Sequence, residues 1–413
     1  MSYTEFIKEA REYYQMLPYE SNEVYKRYNV AIPLPGDEEP FQKTGISGLD
    51  ALISSICNKT RMKFDAIISD SFTKAINGKI RIIEAKDASD SLLKNKLFRS
   101  SESKLAAYVN GNARYFILID SPERSEEKMN ILFVNAGNLS VQVIVNLGEY
   151  SRLRLSELYV SNSKSSSTVS ILHEVSAAKN SQIEMNALHN ENEHTSVLGL
   201  CKASAAEGAR INANYFYCGG NATKAVSILD SGGHSSRIDV TEFAYGAKAQ
   251  VFDLNAAVLN TAPYSSANIE SGAVLDDSSG CMLKGYAKVS HGAKGADSKI
   301  AERGILLSPD AHIDALPDMA IDYSNEVKAT HSASTSPIDL ESLFYLTSRG
   351  LDEEKAKKII VTAFMAKYIS RMEDPNMREI AMSIMLDKLD TKAFGVISDI
   401  TPKNIWLGEV RKK

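Results

Sequence analysis

Cysteine is scarce and scattered: Cys57, Cys201, Cys218 and Cys281 are the only four, and none forms a CxxC pair. A zinc ribbon or a disulfide framework needs closer, more regular spacing, so these read as reduced, mostly buried thiols. Tryptophan is limited to Trp406, too little to line an aromatic sugar groove. No apolar run approaches the ~18–20 residues that cross a bilayer, and the opening MSYTEFIKEA lacks a signal-peptide apolar stretch. The chain therefore reads as cytoplasmic and free of membrane. Forty-seven basic against 52 acidic residues, a formal charge of −5, leave no basic excess for phosphate backbones, and nucleic acid is not an expected partner. P-loop, HExxH, GxSxG and a strand-following GxGxxG are all missing, so no Walker-site ATP hydrolysis and no enzymatic activity are expected.

What is present is enough apolar residue, 44% of 413, to build a large core. In the first hundred residues Phe6, Ala10, Tyr13, Tyr14 and Leu17 share one helical face, which Pro18 ends. Pro33, Pro35 and Gly36 mark a loop, Ile46 to Ile56 has the density of a buried segment, and KIRIIEA (79–85) alternates like a short strand. The charged stretch Lys86 to Lys104 reads as helix or linker. From about Tyr115 strand-like pieces follow in quick succession: RYFILID (114–120), MNILFVN (129–135), SVQVIVNL (140–147) and RLRLSELYV (152–160). A long tract rich in Ser, Ala, Asn and Gly continues the alternation, as in ARINANYFY (209–217) and SRIDVTEF (236–243).

Small-residue turns punctuate this tract at Gly208-Ala209, Gly246-Ala247, Gly272-Ala273, Gly292-Ala293 and Asp310-Ala311. The last spacings, 26, 20 and 18 residues, are read as single coils of a parallel β-helix, whose coils bury alternate side chains and turn tightly at small residues. A β-sandwich, the rival, calls for Asn-Gly or Asp-Gly hairpins, and neither dipeptide occurs between Tyr115 and Thr335. Helical pattern returns at Ser336, an N-cap candidate followed by Pro337. That helix ends at Gly350. The next begins at Asp352, with Ala356, Ile359, Ile360, Ala363 and Phe364 on one stripe, and a third follows Asp374-Pro375 with Met377, Ile380, Ala381, Ile384 and Met385. The expected fold is mainly β: a parallel β-helix core over 111–335, between a mixed helical region over 1–110 and a helical region over 336–413.

Two local clusters invite a chemical reading. HNENEH (189–194) places its histidines on opposite faces of a strand and reads as a solvated loop. Asp276-Asp277, the one adjacent acidic pair in the β tract after Tyr150, is followed by Ser278, Ser279 and Gly280 and reads as a turn. It is thin support for a β-helix polysaccharide lyase or hydrolase, which needs clustered carboxylates.

The stretch LLSPDAHID (306–314), EVKATHSAS (326–334), LFYLTSRG (343–350) and LDEEKAKKIIVTAF (351–364) resembles the C-terminal signature of the SufB/SufD family, scaffold subunits of the Suf iron–sulfur cluster assembly machine. Weaker similarity extends upstream through LGEYSRLRLSELYVS (147–161). The resemblance implies a right-handed parallel β-helix, dimerisation through that β-helix with a SufB-type or an identical chain, and docking of the ABC-type ATPase SufC on segment 338–370. Within that segment Leu343, Phe344, Ile359, Ile360 and Phe364 are the candidate contact residues. It also implies a nascent iron–sulfur cluster near the dimer interface, transient and shared with the partner chain.

The residue pattern is SufD-like. Glu302 stands where SufB has a cysteine, and Ser332 where SufB has a glutamate. His331 is retained from the SufD pattern, whose cysteine is replaced by Ala329. His331, with His312 from a neighbouring coil, is the candidate ligand set, since a neutral imidazole binds iron. Glu326 and Lys328 read as solvated or partner-facing. A self-sufficient SufB-type homodimer and the β-helix polysaccharide enzyme are the rival functions.

Overall fold

Ser2 opens the described chain as a helix cap: its hydroxyl accepts the Glu5 N–H, and the Glu5 carboxylate accepts the Ser2 N–H, closing two free donors at once. The computed structural model describes residues 2–18, 49–94, 96–322 and 327–391. The Pro33–Gly36 loop, the start of the 46–56 segment, Glu326 and Trp406 lie outside the described residues. Helix α1 (Tyr3–Met16) buries Phe6 and Ala10, as the sequence pattern requires. Helices α2 (Leu49–Thr60), α3 (Asp90–Lys94) and α4 (Lys104–Asn112) follow. Between α2 and α3 run β1 (Ala66–Ser69), β2 (Thr73–Ala75) and β3 (Ile80–Glu84).

The solenoid strands are β4 (Tyr115–Ser121), β5 (Glu126–Asn135), β6 (Leu139–Leu147), β7 (Arg152–Ser161), β8 (Ser167–Ala177) and β9 (Gln182–Asn190). Then come β10 (Thr195–Ala205), β11 (Arg210–Tyr217), β12 (Ala222–Ser231), β13 (Arg237–Gly246), β14 (Val251–Asn260) and β15 (Ser266–Leu275). The series closes with β16 (Gly280–Val289), β17 (Asp297–Leu306), β18 (His312–Ala315), β19 (Asp318–Ile321) and β20 (Lys328–Pro337). From β4 to β18, odd-numbered strands stack in parallel as a first sheet and even-numbered strands as a second. The result is a β-solenoid of about eight turns, and 47% of the described residues are strand.

Stacking in register turns the two-residue alternation of each strand into inward columns. One such column in the first sheet reads Met129, Leu155, Met185, Ala213, Val240, Ile269 and Ile300, all buried in one continuous core.

The corner entering the first sheet explains how the coil closes. Arg124, Tyr150, Asn180, Gly208, Ser235, Tyr264 and Gly295 each adopt a left-handed backbone, φ between +55° and +67°. They recur every 26 to 31 residues along the chain, which is the true coil length. The strain at the non-glycine positions is offset by a ladder: Tyr150, Asn180, Gly208, Ser235 and Tyr264 donate their N–H to the next coil, to the carbonyls of Lys179, Glu207, His234, Pro263 and Lys294. The next residue is small and, from the second corner on, buried: Ser151, Ser181, Ala209, Ser236, Ser265 and Ala296. The Gly-Ala pairs are a different matter. Gly208 is one of these corners, Gly246-Ala247 turns the opposite edge, Gly272-Ala273 is inside β15, and Gly292-Ala293 links β16 to β17. Their spacings of 26, 20 and 18 therefore mix full and partial coils and do not measure one.

Three C-terminal helices complete the described residues: α5 (Leu340–Ser348), α6 (Glu353–Ile369) and α7 (Pro375–Thr391). Ser336 and Pro337 are not the helix start. They remain in β20, paired with Ile305 and Leu306, and Asp339 caps α5 instead, accepting the Ser342 N–H at 2.9 Å. Helices α6 and α7 lie on the outer face of the first sheet, where Met365, Tyr368, Met377, Ile380 and Met385 pack on Leu188, Phe216, Phe243 and Val274. Gly272 is the close point, since a Cβ there would stand 2.4 Å from Tyr368 Cζ. The outer face of the second sheet is covered by the N-terminal helices, with Phe98, Leu105 and Tyr108 on Leu172, Leu198 and Leu200.

Candidate functional site at the open end

The candidate residues collect at the last coil. Strand β20 is bonded to β17 on one side and, among the described residues, has no strand on its other side. Its residues are exposed almost throughout. In the second sheet the same level is shared by two four-residue strands, β18 and β19, both on β16. The solenoid thus ends on a bare edge ten residues long, with free backbone donors and acceptors.

His331 follows Ile300 on an inward column of the first sheet and is exposed because no further coil covers it. Ala329 and Ala333 share its face, and Ser332 points to the other. His312 starts β18 opposite Gly280, on the outward side, with its ring over that glycine: a Cβ on Gly280 would meet Nε2 at 2.5 Å. Because the chain has just turned from the Leu306 end of β17, His312 lies near the Pro337 end of β20. His331 is six residues back along the strand, about 20 Å. The structure does not bring the two histidines together. Among the described residues no three His, Cys, Asp or Glu side chains are arranged to hold a metal.

Glu302 is inside the solenoid on the rung below Ala333, 0% exposed, and its Oε1 accepts the Gly285 N–H at 2.6 Å. The thiols offer little. Cys201, Cys218 and Cys281 are buried, and burial pushes the first two up to about 12 and the third well above its ordinary value. Cys57, half-buried in α2, is also raised by burial.

HNENEH is only partly the solvated loop that its sequence suggests. His189 is buried, its Nδ1 2.8 Å from Glu191 Oε1, and its ring is stacked between Tyr159 and Tyr217 at 4.1 and 4.9 Å. His194 is exposed. Inward register under the column from Phe133 outweighs the polar composition. Asp276-Asp277 is the expected turn, with Asp277 at φ +52° and the Ser279 hydroxyl donating to the Asp276 carbonyl at 2.7 Å.

Helix α5 buries no residue at all. Leu340, Phe344 and Tyr345 are 77%, 74% and 57% exposed, and Ile359 on α6 is 47% exposed. Leu343 and Ile360 are half-buried. The expected stripe on α6 divides: Phe364 turns inward, its ring 6.2 Å from Phe243 and 5.3 Å from Tyr368, while Ile359 faces outward. The core face is Ala356, Val361, Met365, Tyr368 and Ile369. Leu340 and Tyr345 were not singled out from sequence; the signal was the apolar density of LESLFYL on a helix with too few polar residues to face water on all sides.

A broad trough of about 620 Å³ crosses the outer face of the first sheet beside the α6–α7 turn. Most of its carboxylates are engaged: Glu184 with Arg154 at 2.8 Å, Asp239 with Arg237 at 2.6 Å, and Glu270 with Lys367 and Arg371. Among the described residues no helix is long and apolar enough to cross a membrane.

Residues 133–364, more than half of the chain, match the family described as SUF system FeS cluster assembly, SufBD core domain. The iron-sulfur cluster assembly protein SufD of Bacillus subtilis is 24% identical over 289 residues, which is 69% of this chain and 65% of that protein. SufD of Escherichia coli is 24% identical over 174 residues, 42% of this chain and 41% of that protein. An iron-sulfur cluster assembly SufBD family protein of Staphylococcus saprophyticus is 29% identical over 140 residues, 34% and 30% of the two chains. The aligned stretches span less than two thirds of each of these relatives. The chain belongs to the SufBD core family.

Proposed function

We propose that this chain is a non-catalytic, SufD-like scaffold subunit of cytoplasmic iron–sulfur cluster assembly, pairing through the open end of its solenoid with a SufB-type or identical chain. The observation that carries the reading is the bare edge of β20 with His331 uncovered on its inward column, in a member of the SufBD core family. A ten-residue edge strand whose backbone groups on the side away from β17 are unpaired is a template for another chain. A histidine at its rim is placed to share ligation of a nascent cluster with that partner. His312, about 20 Å away along the strand direction, is not part of the same ligand set in this reading.

The thiols favour a shared cluster over a self-sufficient one. Cysteine ligates iron as the thiolate, and burial holds the three buried cysteines as thiols. The exposed apolar side chains of α5 and α6, Leu340, Phe344, Tyr345 and Ile359 with Leu343 and Ile360 beside them, are the docking face proposed for the ABC-type ATPase SufC. The polysaccharide reading is disfavoured because most carboxylates of the trough are tied to arginines and lysines.

The test is copurification with the cognate ABC ATPase, with and without a SufB-like chain, followed by anaerobic iron and sulfide reconstitution read by absorbance. ATPase binding, with a cluster only when the SufB-like chain is present, is the expected result. A cluster on this chain alone would replace it with the self-sufficient scaffold, and absence of ATPase binding would overturn the docking assignment.

A further inference from the structure

One inward column carries Glu242 on β13, Ser271 on β15 and Glu302 on β17 on consecutive rungs, and ends on Ala333 of β20. Glu242 and Glu302 are 0% exposed and Ser271 is 1% exposed. Glu302 Oε1 takes the Gly285 N–H, and the Leu316 N–H is also directed at this carboxyl group. Its Oε2, both oxygens of Glu242 and the Ser271 hydroxyl have no hydrogen-bond partner among the described residues. Across the interior, the column of the second sheet offers Ser227, Ala256 and Gly285: small, uncharged, and leaving room.

The titratable groups on the inward faces around the pair are Cys201 of β10, Tyr215 and Tyr217 of β11, Cys281 of β16 and His331 of β20. Asp253 of β14 is turned outward and is engaged by Lys224 and Lys284 at 2.7 and 2.9 Å. Asp314 of β18 shares that outward side. Among the described residues no lysine or arginine faces the two carboxyls, and two uncompensated charges in an apolar interior cost far more than a proton on each group.

We propose that Glu242, Ser271 and Glu302 form a proton-holding lock inside the last coils, the protonated carboxyls supplying the hydrogen bonds that the three side chains otherwise lack, and that loss of these protons in alkaline solution loosens β17 and β20. Burial raises both carboxyls to about 8, from an ordinary 4.5. The folded chain therefore holds protons that the unfolded chain has released between those values. The contribution to stability is complete below 4.5 and is lost as pH rises through about 8. The lock extends the proposed function by making the pairing edge pH-sensitive, but it is tested on this chain alone.

The measurement is hydrogen exchange of the β17 and β20 amides in the isolated chain at pH 7 and pH 9, corrected for intrinsic rates, beside the double variant Glu242→Gln, Glu302→Gln. Protection in the wild type is expected to fall about tenfold for each carboxyl titrated over one pH unit, and to stay level in the variant. Infrared spectra with labelled glutamate should show protonated carboxyl at pH 7 in the wild type and lose that band in the variant. If the double variant does not fold, the single variants Glu242→Gln and Glu302→Gln should each remove about half of the band. Equal pH dependence in wild type and variant, or no protonated carboxyl at pH 7, overturns the lock. A lock that holds in a chain that pairs with nothing would instead overturn the proposed function.

Discussion

At its first coils the solenoid is closed: β3 runs antiparallel to β4, β2 runs antiparallel to β1, and α1 and α4 pack over the outer face. At its last coil β20 has, among the described residues, a neighbouring strand on one side only, and α5 follows it with no buried residue. A parallel ladder has no internal reason to stop, because each coil presents the next with the same edge. Reversing a strand is one way to stop it, and the start uses that device twice. The far end does not, and what it presents is KATHSASTSP, polar and small enough to stay in water. The difference separates an end built for stability from an end that retains the capacity to pair.

That contrast is breakable at both ends. The largest effect is expected at the closed start, where the Lys96 ammonium is 2.5 Å from Glu174, both almost fully buried. Lys96→Met leaves Glu174 with only the Leu97 and Phe98 N–H groups and should cost about 3–5 kcal/mol, read by urea unfolding. Next is the helix-covered flank. Gly272→Ala drives a methyl into the Tyr368 ring and should cost about 1–3 kcal/mol, with faster hydrogen exchange in α6.

At the open end stability should hardly respond. Ser332→Lys with Ser334→Lys places charges on the bare edge and should change unfolding free energy by less than about 0.5 kcal/mol. Association with a SufB-like chain, measured by sedimentation, should weaken at least tenfold. His331→Ala should be as neutral for stability and leave ATPase binding intact, while cluster maturation by the assembled complex drops. A large loss of stability from either open-end change would mean that the edge is structural and erase the contrast.

The strands of the solenoid were legible because period-two alternation survives in pieces such as ARINANYFY and SRIDVTEF. Helices α6 and α7 were legible too, from Asp352 and from the Met377–Met385 stripe, all of it buried. The coil length was not, because the corner is marked by backbone conformation and not by one residue type. Arg124, Tyr150, Asn180, Ser235 and Tyr264 adopt the conformation that glycine favours, and only Gly208 and Gly295 advertise it. The readable trace was the buried Ser or Ala that follows. Likewise Ser336-Pro337 looks like a helix start locally, yet the ladder to Ile305 and Leu306 keeps it in a strand. At the candidate site, His331 was found through its local motif, whereas its separation from His312 depends on which sheet and which direction each strand takes. Glu242 carried no local signal, since an inward-facing glutamate is indistinguishable in sequence from an outward one until the register is known.

The most direct test of the open-end account is backbone hydrogen exchange across residues 328–337 in the chain alone and in its complex with a SufB-like chain. The account predicts rapid exchange at β20 in the isolated chain and strong protection in the complex, while β4 and β5 at the closed start stay unchanged. A stable complex in which β20 exchanges as fast as in the free chain would contradict it.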